Sequence, residues 1–160
     1  MKTLHLVVRD PKGRIGSQTI GRAIAAAAID EKVTASALRS GLVALTFYQA
    51  YSPRQAAQAM RTLAELGDVD FDERDFAPQW FEPDQGIATT GLILERAGRR
   101  FSASVRGELV RLRESLVEAK GRGCTFYLVE TEPGERPRAD TSVPEAATRG
   151  HERPRYRASK

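Results

Sequence analysis

The chain has one cysteine, Cys124, in 160 residues, so no internal disulfide can form. It has two histidines, His5 and His151, far apart in sequence. With Cys124 reading as a core residue, they supply neither a Cys/His nucleophile pair nor a zinc set. There is no Gly-x-Ser-x-Gly elbow. Gly13-Arg-Ile-Gly-Ser-Gln-Thr matches neither the Walker pattern nor the dinucleotide glycine pattern. No apolar run approaches the roughly 20 residues of a membrane span. Met1-Lys2-Thr3-Leu4-His5-Leu6 alternates and soon meets Arg9 and Asp10, so it reads as a strand and not as a secretory segment. These absences lead us to expect a cytoplasmic protein with no membrane partner, no cofactor and no metal. They leave oligomeric state open. They disfavour an enzyme built on a recognisable motif; a small enzyme using a carboxylate–Arg site would leave no local motif.

Charge is unevenly placed. The net charge is +4, and Glu135–Lys160 carries seven cations against four acids, so the first 134 residues are close to neutral. An Arg- and Ala-rich composition also follows from a GC-rich genome, so basicity alone does not identify a nucleic-acid partner. After Pro133-Gly134 large apolar residues almost vanish. Such a segment buries too little surface to offset its ordering entropy. The expected organisation is therefore a globular domain over 1–134 and a disordered basic tail over 135–160.

Within the domain the clearest element is a helix at Phe101–Gly121. Phe101, Val105, Leu109, Leu112, Leu116 and Ala119 recur at steps of four and three, one apolar stripe on a 3.6-residue helix. Ser102 fits an N-cap, and Gly121 and Gly123 fit the turn that follows. Ile87–Glu95 and Cys124–Glu132 are short β-branched or aromatic runs and read as strands flanking it. Lys2–Arg9 reads as a first strand and Asp10-Pro-Lys-Gly-Arg as a turn. Ser17 caps a helix to about Asp30, and Thr34–Ser40 adds a short helical piece. Leu42–Tyr51 reads as a strand between Gly41 and Ser52-Pro53; read as a helix instead, it would make the first half a three-helix cluster resembling a helix-turn-helix module. Ser52-Pro53-Arg54-Gln55 is a capping box opening a helix that turns Ala56, Ala59, Met60, Leu63 and Leu66 inward. The expected fold is α+β, or a small α/β unit, with about four strands and three helices.

Two surfaces carry functional expectations. Arg99, Arg106, Arg113 and Lys120 recur every seven residues, so they drift only about 20° per step and stay on one side of the helix. Four cations in line suit contacts to successive phosphates, though long basic side chains also lie along the edge of a buried face with no ligand at all. In the tail, Arg149, Arg153, Arg155 and Arg157 surround Tyr156, an arrangement that can stack on bases and track phosphates. The second surface is the acidic stretch Asp68–Gln85, with Phe71, Phe76, Trp80 and Phe81 as candidate anchors for a protein partner. Asp68-x-Asp70-x-Asp72 resembles the opening of a calcium loop, but Glu73 and Gln79 occupy the positions that need Gly and Glu. Glu118-x-Lys120 resembles a nuclease strand, but helical periodicity runs through it. The leading expectation is a non-enzymatic accessory protein associating with nucleic acid through Arg99, Arg106, Arg113, Lys120, Arg153, Arg155 and Arg157. The alternative is a protein-binding module such as an inhibitor, immunity or adaptor protein.

Overall fold

Two long strands of opposite direction, from the two ends of the described chain, lie side by side at the centre of a sheet. The structure, a computed structural model, describes residues 1–27, 39, 44–67 and 73–138. Strand β1 (Thr3–Arg9) turns through Asp10–Arg14 into β2 (Ile15–Gly21), and β4 (Thr125–Thr131) pairs antiparallel with β1 on its other edge. The two-residue β3 (Gln49–Ala50) runs parallel to β4, which gives a mixed sheet of order β2-β1-β4-β3. Helices α1 (Ala23–Ala26), α3 (Pro83–Ala97) and α4 (Ala103–Gly121) cover one face, while α2 (Pro53–Glu65) follows β3. The fold is α+β. No helix among the described residues is long and apolar enough to cross a membrane.

The alternation of the strands sorts the core. Leu4, Leu6, Phe126 and Leu128 face the helices and pack with Ile93, Val105, Leu109, Leu112 and Leu116. The α4 stripe read from sequence is buried as expected, from Val105 to Ala119, and Ser102 accepts the Val105 amide at its N-cap. Val7, Tyr127 and Val129 form a second, smaller cluster on the opposite face with Ile15, Ala50 and Trp80. The capping box of α2 is complete: Ser52 Oγ accepts the Gln55 amide, and Gln55 Oε1 accepts the Ser52 amide.

Three expectations are corrected. Ile87–Glu95 is not a strand; it lies inside α3. Its threonines satisfied β-propensity, but burial decides: Gly86, Thr89, Thr90 and Ile93 are the buried positions, at helical spacing. The Thr90 hydroxyl donates to the Gly86 carbonyl, which keeps it content inside a helix. Gly86 is required there, because a Cβ would stand 2.8 Å from Phe126 Cζ and 2.9 Å from Leu116 Cδ1. Ser17 caps no helix, since it sits in the exposed edge strand β2, and the helix begins only at Ala23. Of Leu42–Tyr51, the described residues 44–51 form neither an α-helix nor a continuous strand. Leu45–Tyr48 is a turn of 3-10 helix that buries Leu45 and Tyr48, and only Gln49–Ala50 is strand. Leu42 and Val43, with the Thr34–Ser40 piece apart from the helical Arg39, lie outside the described residues. On α2, Ala56, Ala59, Met60 and Leu63 are half-buried and Leu66 is exposed, so that inward face is shallower than its periodicity implied.

Glu135, the first residue assigned to the tail, is tied to the domain. Its carboxylate accepts the Arg54 amide at 2.8 Å and the Glu132 amide at 2.9 Å. Residues 139–160, with Arg149, Arg153, Arg155, Tyr156 and Arg157, lie outside the described residues.

Candidate nucleic-acid interface

Helix α4 is one continuous rod of 19 residues, anchored on both flanks. On one flank the Glu108 carboxylate accepts the Ala23 and Ile24 amides at 3.2 and 2.6 Å, holding the first turn of α1. Gly21 makes room for it, as a Cβ there would overlap the Glu108 carboxyl. Arg111 donates to the Ile20 carbonyl at 2.6 Å, so it serves the sheet edge. On the other flank α3 packs closely, with Gly91 facing the Arg113 side chain.

That second flank carries the predicted basic row. Arg106, Arg113 and Lys120 are all exposed on α4, two turns apart each time. At 1.5 Å rise per residue they are spaced by about 10.5 Å. Arg99 lies in the 3-10 turn Gly98–Arg100 that precedes α4, off the rod itself. Lys120 is engaged: its Nζ stands 2.6 Å from Asp84 Oδ1 at the start of α3. Arg106 and Arg113 have no ion-pair partner among the described residues. Val110 and Val117, 42% and 50% exposed, alternate with them, so the outward edge reads Arg106, Val110, Arg113, Val117, Lys120. From Arg96 to Arg122 there are eight cations and three acids, and one of those acids, Glu108, faces the opposite flank. Helix α4 also continues through Glu118 and Lys120, which removes the strand geometry a nuclease reading needs.

The aromatic anchors are placed differently. Phe71 lies outside the described residues. Trp80 is half-buried, edge-on to Tyr127 at 4.8 Å, with the Arg9 guanidinium 4.4 Å over its ring. Phe81 joins the main core, bridging to Phe126 through two backbone hydrogen bonds of 2.9 Å and touching Tyr48. Phe76 packs against Tyr51 at 5.5 Å. The described aromatics of the acidic stretch thus cover the chain's own surfaces. Among the described residues the rings left outermost are two not singled out above, Phe47 at 52% and Tyr51 at 58% exposure. Both precede the Ser52 cap in a run read as buried strand, so nothing local marked them.

A polar cluster on the second sheet face was also not foreseen. His5 Nε2 is 2.8 Å from the buried Thr131 hydroxyl, and His5 Nδ1 is 3.3 Å from Thr19 Oγ1. Burial holds His5 below its ordinary value, opposed by the nearby Glu135 carboxylate. For Glu135, burial pushes upward, but hydrogen bonds from the Ser52 hydroxyl and the Glu132 and Arg54 amides outweigh it and leave the carboxyl below its ordinary value. Among the described residues no three His, Cys, Asp or Glu side chains converge as a metal would need. The Asp68–Asp72 stretch lies outside them.

Comparison with family models, with curated proteins and with solved structures finds no match to this chain.

Proposed function

We propose that this protein is an accessory factor that associates with nucleic acid through its phosphate backbone, using the outward edge of α4. One observation carries the reading. Arg106 and Arg113 stand exposed on the same side of a rigid helix, about 10.5 Å apart, with no acid partner among the described residues. Phosphate contacts of this kind fix position and carry no sequence information. Lys120 joins the row when a phosphate displaces Asp84, and Arg99 extends it beyond the helix start. Arg153, Arg155 and Arg157 lengthen the reach. A cytoplasmic setting belongs to the same proposal, since Cys124 is a free, buried thiol. The test is binding of fluorescently labelled oligonucleotides of unrelated sequence by anisotropy. Wild type binds them with similar affinity, and Arg106→Gln with Arg113→Gln weakens all of them about equally while the thermal midpoint stays in place. Undiminished affinity in the double variant removes α4 from the interface.

A second reading has one observation in its favour. Phe47 and Tyr51 expose their rings beside Phe81 and Phe76, next to the acidic stretch, as anchors of a protein-docking surface do. A partner captured by wild type and lost on Tyr51→Ala, with no nucleic acid retained, favours it over the first.

A further inference from the structure

At the β1–β2 turn, beside the segment that follows the end of α4, a cleft of about 450 Å³ opens between Arg9–Gly13 and the Gly123–Thr125 segment. We propose that it binds a small phosphorylated ligand of nucleotide size. Its floor is fixed by two turns that touch. Gly13 and Gly123 both hold positive φ, at +84° and +68°, and a Cβ on Gly123 would meet Pro11 Cγ at 3.4 Å. The charge left over in the cleft is positive. Asp10, its one acid, is already satisfied: Oδ1 accepts the Lys12 and Arg14 amides, and Oδ2 accepts Arg14 Nε at 2.7 Å. Three carbonyls at the end of α4, those of Glu118, Ala119 and Lys120, are likewise taken by the amides of Arg122, Gly123 and Cys124, which reduces the negative potential at that end of the helix. Arg9 and Lys12 have no acid partner among the described residues.

Arg9 is also pre-oriented. Its guanidinium carbon stands 4.4 Å over the Trp80 ring, and Thr125 is its cross-strand neighbour on β4. A guanidinium held over an aromatic ring retains N–H donors and loses less entropy on meeting a phosphate than a free one, and Lys12 adds a second charge suited to a dianion. The volume falls within the usual range for small-molecule sites, about 300–1,000 Å³, so it takes a phosphate together with an attached organic group. The same phosphate chemistry is offered by a free nucleotide and by the 5′ end of a strand.

Trp80 is the sole tryptophan, so its emission reports directly on Arg9. Titration with AMP, in buffer of matched ionic strength, should change that emission saturably, and adenosine should not. Lys12→Gln should weaken AMP binding about tenfold; Arg9→Gln, read by calorimetry because it alters the reporter, should abolish it. A 5′-phosphorylated oligonucleotide that competes where its 5′-hydroxyl form does not identifies a strand end as a ligand; competition by AMP alone identifies a free nucleotide. The Arg106→Gln, Arg113→Gln double variant keeps its AMP affinity, which separates this site from the α4 edge. A response that never saturates, that sodium chloride reproduces, or that Lys12→Gln leaves unchanged overturns the proposal.

Discussion

Lys120 Nζ stands 2.6 Å from Asp84 Oδ1, an ion pair between the last turn of α4 and the first turn of α3. Both side chains are more than half exposed, so the pair adds little to stability. Its consequence is electrostatic: it places a carboxylate at one end of the basic row.

Asp84→Asn frees that cation. Thermal unfolding should shift by no more than about 1 kcal/mol equivalent. Affinity for single- or double-stranded nucleic acid should rise, and the slope of log K against log salt should steepen by close to one contact, about 0.7 to 0.9. Anisotropy titrations at several salt concentrations measure both.

Packing of α3 on α4 turns on Gly86. Gly86→Ala drives a Cβ against Phe126 and Leu116, where overpacking costs about 1–3 kcal/mol, less the roughly 1 kcal/mol that alanine gains in a helix. A lower urea midpoint is expected. Gly107→Ala is the control: it is exposed in mid-α4 with nothing within 4 Å, so it should gain about 0.5–1 kcal/mol. Equal effects at the two positions would contradict the close α3–α4 contact.

Acid should destabilise the fold in two steps. His5 is held below its ordinary value of 6.5, so the folded state favours the neutral ring. That contribution is complete above pH 6.5 and is lost as pH falls below it, because the unfolded chain binds the proton first. Glu135 is held below 4.5, so its contribution is present above that pH and is lost as pH falls through the folded value. Melting curves from pH 8 to 3 should show both declines, with His5→Gln flattening the upper one and Glu135→Gln the lower. A midpoint independent of pH between 7 and 5 would contradict the half-buried, neutral His5.

Sequence made some of this legible and hid the rest for physical reasons. Helix α4 was readable because it buries one face, so its period survives from Val105 to Ala119, and strand β4 because Phe126 to Val129 are buried on both faces and form a short continuous apolar run. Helix α2 announced itself by its cap, which needs only four residues. Helix α3 was misread because small or β-branched residues, Gly86, Thr89 and Thr90, occupy its buried positions, and such residues look like a strand. Strand β2 was misread because it is an edge, exposed from Gly16 to Thr19, and offers no alternation to read. The seven-residue spacing revealed the row Arg106, Arg113 and Lys120. It could not reveal Asp84, which comes from another helix 36 residues earlier in the chain. Arg9 and Lys12 gain their setting only when the β1–β2 turn meets Gly123, a contact between distant segments.

The central claim, that α4 meets phosphates through Arg106 and Arg113, is tested most directly by the salt dependence of binding to one labelled duplex. Wild type and the Arg106→Gln, Arg113→Gln variant are titrated from 50 to 200 mM salt. The account predicts a linear log–log plot whose slope falls by about 1.8 in the variant, two contacts at roughly 0.9 each. Parallel lines for the two proteins would contradict it.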